Sequence, residues 1–402
     1  MKGFSRRWPV AQCLDWIDTH TMLMGTEEVD LQHAAARILA ENIVSPVAVP
    51  QFTRAMMDGF ALHAEDTSGA SPYQSLELTV IGESLPGKPF DGIVKAGEAV
   101  RIMTGAPLPN GANAVLPAEH VQIKNDTILA LSETSQEKHI GFPGEDIQQG
   151  DTVLKSGRAL RPQDLGVLSS IGRAAVPVYQ KPRVRLIVTG DELLPPGSPA
   201  QPHCIADANS PMLQALIQRD GGTWIHPGIL PDNPTSIRAA MLDQDADMIL
   251  VSGGSSVGQE DHAPQLLAEL GSLDIHGIAM RPSSPTGMGM LGNRPVFLLP
   301  GNPVSCLCAY DFFAGRAIRQ MSGRAIAWPY PAVRLPLKRK LVSAVGRTDY
   351  ARVQIEDNCV NPIAISGASI LSSTTIADGF VIIEENLEGY PRDSEVTVYR
   401  YQ

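Results

Sequence analysis

Residues 247–261 read Asp247-Met248-Ile249-Leu250-Val251-Ser252-Gly253-Gly254-Ser255-Ser256-Val257-Gly258-Gln259-Glu260-Asp261. The apolar run Met248–Val251 has the make-up of a buried strand. It opens into a Gly/Ser loop, Ser252–Gly258, and closes on the carboxylates Glu260 and Asp261. After a buried parallel strand, glycine lets the backbone approach an anion with N–H groups turned towards it. The carboxylates that follow would repel that anion unless a cation lay between them. The stretch therefore predicts a phosphate-bearing ligand together with a divalent metal.

Outward from this stretch, residues 182–323 alternate strand and helix. Val184–Val188, Thr223–Pro227, Met248–Val251, Ile275–Met280 and Val296–Leu299 read as strands. Ser210–Arg219, Pro234–Leu242, Pro264–Glu269 and Pro303–Met321 read as helices. The rhythm predicts a doubly wound α/β domain, a parallel sheet covered by helices on both faces. Ligands of such sheets bind outside the C-terminal ends of the strands. Segments that reach that edge are Val188-Thr189-Gly190-Asp191-Glu192-Leu193, Ile205-Ala206-Asp207-Ala208-Asn209, the Gly/Ser loop and Leu299-Pro300-Gly301-Asn302-Pro303-Val304-Ser305. Asp191, Glu192, Asp207 and Asp261 supply oxygen ligands suited to Mg²⁺, which keeps several of its waters. Asp207 or Asn209 equally suits a helix N-cap. Gly301-Asn302-Pro303 is expected to turn backbone N–H groups towards a ligand at a helix N-terminus, an effect of up to ~1 kcal/mol per exposed charge.

The flanks have another texture. Residues 11–44 read as helical, with Leu14, Ile17, Met22, Leu31, Ala35 and Ile38 near helical spacing. From Ser45 to Phe142, short apolar runs alternate with Gly and Pro, which predicts a β-rich domain. Pro162–Ser170 reads as a helix with proline in its first turn. β-like runs return after Trp328: Ala332–Leu335, Tyr350–Ile355, Gly379–Glu384 and Glu395–Tyr399. The expected domains are 1–45 with 143–181, 46–142, 182–323 and 324–402. Three stretches of the N-terminal half stand out as a further candidate site: Pro50–Ala61 with Asp58, Arg101–Pro107 with Thr104, and Gly144-Glu145-Asp146.

Composition narrows the classes. A chain of 402 residues exceeds one ordinary core. The apolar fraction is 43 %, and no apolar run approaches the ~20 residues of a membrane span. No long apolar segment follows the charged start, so no cleaved signal is expected. A net charge of −11 argues against a general nucleic-acid surface. Cys13, Cys204, Cys306, Cys308 and Cys359 are scattered and odd in number, which fits reduced thiols in the cytoplasm.

Together these segments resemble the molybdopterin molybdotransferases, the MoeA family of bacteria, also seen in the E domain of the animal protein gephyrin. The likeness rests on Met57-Asp58-Gly59-Phe60-Ala61, Arg101–Pro107, Gly144-Glu145-Asp146, Thr189-Gly190-Asp191-Glu192-Leu193, Ser252-Gly253-Gly254 with Ser256-Val257-Gly258 and Asp261, and Pro300–Ser305, in that order along the chain. The resemblance implies an elongated homodimer with a molybdopterin-binding α/β domain, a β-rich N-terminal domain and a C-terminal β domain. It implies insertion of molybdenum from molybdate into adenylylated molybdopterin, with Mg²⁺ and release of AMP, for a molybdoenzyme or its chaperone. It implies Asp58, Thr104, Asp146, Glu192, Asp207 and Asp261 as catalytic, with Glu192, Asp207 and Asp261 also holding the metal. The substrate-facing positions would be Thr189, Gly190, Ser252, Gly253, Gly254, Ser256, Gly258, Arg281, Ser284, Gly301, Asn302 and Pro303.

The chain departs from the family pattern where cations are usual. Arg281-Pro282-Ser283-Ser284-Pro285 stands where the family carries Lys-Pro-Gly-Lys-Pro, and Gly141-Phe142-Pro143 stands where it carries arginine. Ser255 replaces a valine, and Asp207-Ala208-Asn209 replaces Asp-Thr-Asn or Asp-Ser-Asn. A charge-assisted hydrogen bond is worth ~1.5–3 kcal/mol, so each lost cation corresponds to roughly 10- to 100-fold in affinity or rate. The alternative expectation is a diverged paralogue that binds or delivers the pterin or finished cofactor without insertion.

Overall fold

The computed structural model describes residues 7–254, 261–364 and 367–401. The chain divides into two compact units, Met1–Glu28 with Pro177–Gln402, and Val29–Val176.

The first unit is built on a sheet in the order Thr223–Ile225, Arg183–Thr189, Met248–Ser252, Arg294–Leu299, Gly287–Leu291, Ser272–His276. Leu250 pairs with Leu186 on one side and Phe297 on the other, all parallel. Side-chain alternation along these strands sorts them into two cores. Val184, Leu186, Val188, Met248, Leu250, Phe297 and Leu299 face one, shared with Leu213 and Ile217 of the helix Asn209–Arg219 and Val10, Cys13 and Ile17 of the helix Val10–His20. Ile187, Ile249, Val251, Val296 and Leu298 face the other, with Ile237 and Met241 of Pro234–Leu242 and Leu266 and Leu267 of His262–Leu270. Both faces are covered, which is why these strands read as continuous apolar runs.

The sheet is not wholly parallel. Gly287–Leu291 returns antiparallel to Arg294–Leu299, and Ser272–His276 is antiparallel to it in turn. The expected strand Ile275–Met280 is therefore two pieces, because Met280–Arg281 leaves this sheet and pairs with Thr348–Glu356. Gly-Met-Gly-Met-Leu gave no strand signal because its glycines serve close packing: a Cβ at Gly289 would lie 1.9 Å from the Ser272 carbonyl oxygen. The long helix Pro303–Met321 is interrupted by a wide turn, Tyr310–Ala314. There the buried Asp311 carboxylate accepts from Arg219 and Tyr330, each at 3.0 Å. After Met280–Arg281 a C-terminal sheet runs through Thr348–Glu356, Gly379–Ile383, Glu395–Arg400 and Ala332–Pro336.

The helical reading of residues 11–44 holds only for Val10–His20. Beyond it come the extended Thr26–Asp30 and a single 3₁₀ turn, Leu31–His33. Ile38, Leu39 and Ile43 are buried from irregular or extended backbone, so their spacing imitated a helix without forming one.

The second unit centres on a six-stranded sheet in the order Ala114–Pro117, Gly59–Leu62, Glu98–Ile102, Leu76–Ser84, Thr127–Ala130, Val121–Lys124. Gly59 has no alternative there, since a Cβ would meet the Leu116 carbonyl oxygen at 2.0 Å. The first turn of the helix Pro162–Ser170 carries the buried Asp164, whose carboxylate accepts from the Arg161 N–H and from both the Arg158 and Arg161 guanidinium groups. Among the described residues no helix is long and apolar enough to cross a membrane.

Leu250, fully buried at the centre of the parallel strands, tests this layering. Leu250→Ala is expected to lower stability by about 2–5 kcal/mol in chemical denaturation of the full chain, a cavity effect. A loss below about 1 kcal/mol would show that the sheet centre is not close-packed.

Candidate active site

At the C-terminal ends of the parallel strands lies a cleft of about 440 Å³. Val188–Gly190 and Glu192, Ile205–Asn209, Ser252–Gly254 and Gly301–Pro303 all line it. Asn209 fastens three of these segments, donating from Nδ2 to the Ser252 hydroxyl at 3.0 Å and to the Gly301 carbonyl at 2.7 Å. Gly253 adopts φ +102°, and a Cβ there would meet the Thr189 carbonyl oxygen at 2.4 Å, so only glycine lets the loop close on the neighbouring strand.

Asp207 combines both roles that its sequence position allowed. Its Oδ1 accepts the Asn209 and Ser210 N–H groups at 2.9 and 3.1 Å, capping the helix Asn209–Arg219. Its Oδ2 is buried with no hydrogen-bond partner. The cleft also contains an acidic residue the sequence reading missed. Asp232 follows the edge strand Ile229–Leu230, lines the cleft, and has a buried Oδ1 without a partner. Burial raises the Asp232 carboxyl above its ordinary range, and the negative charges of Asp191 and Glu192 push the same way, against Thr189 and His262. Its sequence signal, Pro231-Asp232-Asn233-Pro234, reads equally well as a helix start, and Asn233 indeed caps Pro234–Leu242. Asp191 accepts the Asp232 N–H at 3.0 Å outside the cleft lining.

Asp261 precedes the helix His262–Leu270 and is not among the cleft-lining residues, and no group of three or more His, Cys, Asp or Glu among the described residues is set to hold a metal. Gly301, Asn302 and Pro303 line the cleft as expected, while the next two N–H groups of Pro303–Ala309, those of Val304 and Ser305, are taken by the Ala368 carbonyl at 2.9 and 3.4 Å. Ser255, Ser256, Gly258 and Glu260 lie outside the described residues. Mg²⁺ typically takes one or two carboxylates, several waters and substrate phosphate rather than a protein cage. The unpartnered oxygens of Asp207 and Asp232 fit that need, with Glu192 beside them.

Across the Pro300–Ser305 turn lies a second pocket, of about 340 Å³, which shares Asn302 with the cleft. Arg7, Arg281 and Arg347 line it together with Ser284 and Ser305, and among the described residues no carboxylate does. The cleft has the opposite character, with Glu192, Asp207 and Asp232 and, among the described residues, no Lys or Arg in its lining. Arg281 and Ser284 were expected at the site; Arg7 and Arg347 carry no local sequence signal.

In the second unit, Asp58 and Thr104 meet. The Thr104 hydroxyl and N–H both donate to Asp58 Oδ1 at 2.7 Å, and these bonds, the hydroxyl first, hold the Asp58 carboxyl below its ordinary value. Asp146 is exposed in the adjoining loop, its N–H bonded to the Val49 carbonyl at 3.1 Å. Beside it Arg54 Nη2 lies 2.6 Å from Glu145 Oε1, and a Cβ on Gly141 would come within 2.8 Å of that carboxylate. Arg54 and Glu145 thus pair with each other beside Gly141. A cavity of about 600 Å³ in this unit, lined by Glu65, His120 and Lys138, includes none of the motif residues.

The chain is similar in sequence and fold to known proteins. The MoeA N-terminal region (domain I and II) matches residues 8–172, a probable molybdopterin binding domain 185–320, and the MoeA C-terminal region (domain IV) 334–401. A putative molybdopterin biosynthesis protein of Methanocaldococcus jannaschii is 34 % identical over 384 residues, covering 93 % of this chain and 92 % of that one. A molybdopterin molybdenumtransferase of Haemophilus influenzae is 34 % identical, covering 93 % of each. The crystal structure of the MoeA protein of Pyrococcus horikoshii matches with a TM-score of 0.84 at 33 % identity, covering 99 % of this chain and 100 % of that one. Fold and site together define a protein of molybdopterin biosynthesis. Within that class the chain belongs to the MoeA family.

Asp232 gives a pH test. With its folded pKa raised, its contribution to stability is fully present below the ordinary value of 3.8 and is lost as pH rises through the raised value. Asp232→Asn cannot ionise, so in metal-free buffer at pH 7 it should unfold at a higher temperature than wild type. The gap should close as pH falls towards the ordinary carboxylate range. Equal melting temperatures at pH 7 would contradict a desolvated carboxylate. For the other unit, Thr104→Val should move the Asp58 titration upward in NMR, because one of its two donors is lost.

Proposed function

We propose that this chain is a molybdopterin molybdotransferase that inserts molybdenum from molybdate into adenylylated molybdopterin and releases AMP. One observation carries the reading. An acidic cleft with unpartnered carboxylate oxygens and a basic pocket free of carboxylates share the wall formed by Asn302. A substrate with a phosphate link and a second, small oxyanion needs such an arrangement. One or two of Asp207, Asp232 and Glu192 would hold Mg²⁺ together with waters and substrate phosphate, and the bound ion would offset phosphate charge and polarise the phosphorus–oxygen bond that is cut. The Asn209 latch fixes the strand ends so that these carboxylates need not reorganise during the reaction. Asp58, kept ionised by Thr104, serves as an acceptor in the same reaction, and the chain acts as a homodimer in the cytoplasm that hands its product to a molybdoenzyme or its chaperone.

The test is to supply purified full-length protein with adenylylated molybdopterin, Mg²⁺ and molybdate and to follow AMP. Wild type should release it. Tight pterin binding without AMP would sink the proposal and favour a protein that stores or delivers the pterin, the reading suggested by Ser284 in place of a lysine. Asp207→Asn keeps a capping oxygen and removes the charge, so it should fold normally yet release AMP at least about tenfold more slowly. Asp207→Ala should also lose about 1 kcal/mol of stability with the cap.

A further inference from the structure

We propose that Arg7 is an oxyanion-binding residue, and that in this chain it supplies charge to the basic pocket where Ser284 does not. The proposal rests on the molybdotransferase reading and names molybdate as the occupant. The pocket collects positive charge from three distant parts of the chain, Arg7, Arg281 and Arg347, with no carboxylate in its lining. Arg7 is held there by the backbone next to it. The Trp8 N–H donates to the Gly277 carbonyl at 2.9 Å and the Ala279 N–H donates to the Trp8 carbonyl at 2.8 Å, so the start of the chain runs as a short parallel bridge beside Ile278. Arg347 is oriented by Asp349, with Nε at 2.9 Å from Oδ1 and Nη2 at 3.4 Å from Oδ2, and Nη1 takes no part in that pair.

The loop between these cations is fixed and has a donor to spare. Ser283 Oγ donates to the Ser305 carbonyl at 2.6 Å, and the Thr286 hydroxyl donates to the Ser283 carbonyl at 2.7 Å. The Ile278 N–H donates to the Ser284 carbonyl at 2.8 Å. Ser284 Oγ, by contrast, is buried with no partner, although it lines the pocket. A buried hydroxyl without a partner is unfavourable unless a ligand takes it. Guanidinium groups plus a hydroxyl donate from several directions, which suits a tetrahedral oxyanion. Serine at 284 is too short to carry charge into the pocket; the arginine at 7 reaches it from elsewhere in the sequence.

Calorimetric titration of the full chain with molybdate decides the matter, with phosphate titrated in parallel and AMP titrated separately in the presence of Mg²⁺. Arg7→Ala should bind molybdate at least about tenfold more weakly than wild type. It should leave the affinity for AMP and the melting temperature unchanged, since Arg7 is exposed and is not among the residues that line the acidic cleft. Arg7→Lys should fall between the two. Molybdate affinity within twofold of wild type in Arg7→Ala, no molybdate binding by wild type, or tighter binding of phosphate than of molybdate would each overturn the proposal. The two readings fail separately. AMP release by wild type with no effect of Arg7→Ala on molybdate would remove only the role of Arg7. Weakened molybdate binding in Arg7→Ala, in a wild type that releases no AMP, would remove only the transferase reading.

Discussion

The Asn209 carboxamide donates to the Ser252 hydroxyl and to the Gly301 carbonyl, and so ties the starting helix of one βα unit to the ends of two others. Those ends are where a parallel sheet leaves its last backbone groups without ladder partners, and where any ligand must lie. A buried amide that bridges them turns three separate loops into one surface. The same helix start is closed by Asp207 Oδ1, so the residue that fixes the helix is also the one that offers an unused oxygen to the cleft. Position and chemistry therefore come from a single five-residue stretch, Ile205–Asn209. Losing the latch would disturb the acidic cleft without unfolding the sheet beneath it, because Leu250, Ile187 and Phe297 are buried independently of it.

Charge is separated across a short distance of chain. Three carboxylates line one side of the Pro300–Ser305 turn and three guanidinium groups the other. Had the two sets met, they would have paired and neutralised each other, as Arg319 and Asp220 do deeper in the same unit at 3.0 Å. Kept apart by Asn302 and the proline-bounded turn, each set retains its capacity for an outside partner. The unpartnered Asp207 Oδ2 and Asp232 Oδ1 on one side and Ser284 Oγ on the other are what such a division leaves behind. A native chain keeps few buried polar atoms unsatisfied, and these lie on the walls of adjoining cavities.

The strands that matter most were plain in the sequence because they are buried on both faces. Met248–Ser252 and Arg183–Thr189 alternate between two apolar cores, and nothing but a covered parallel sheet accommodates that. Their C-terminal loops were legible for the same reason, since a strand end fixes where a loop begins. Gly287–Leu291 was not legible, because Gly289 answers to the backbone of Ser272 rather than to solvent or core. Asp232 was hidden behind a motif with a second meaning, Asn233 being a helix cap. That the Val304 and Ser305 N–H groups are taken by the Ala368 carbonyl was likewise hidden, because that acceptor comes from far along the chain, beyond reach of local pattern.

The missing cations carry the same lesson about distance. Gly141 and Ser284 look like losses when each is set against the residue usual at that place. In the fold, Arg54 pairs with Glu145 beside Gly141, and Arg7 and Arg347 join Arg281 in the pocket to which Ser284 brings no charge. A binding site responds to the field inside it and to the directions of its donors, not to the sequence position from which they come. Arginine is suited to such replacement, since its long side chain and planar fork reach a site from a neighbouring strand and still present paired donors. A count of charges by position therefore underestimates what this chain presents to an anion, and the pockets have to be compared by their linings.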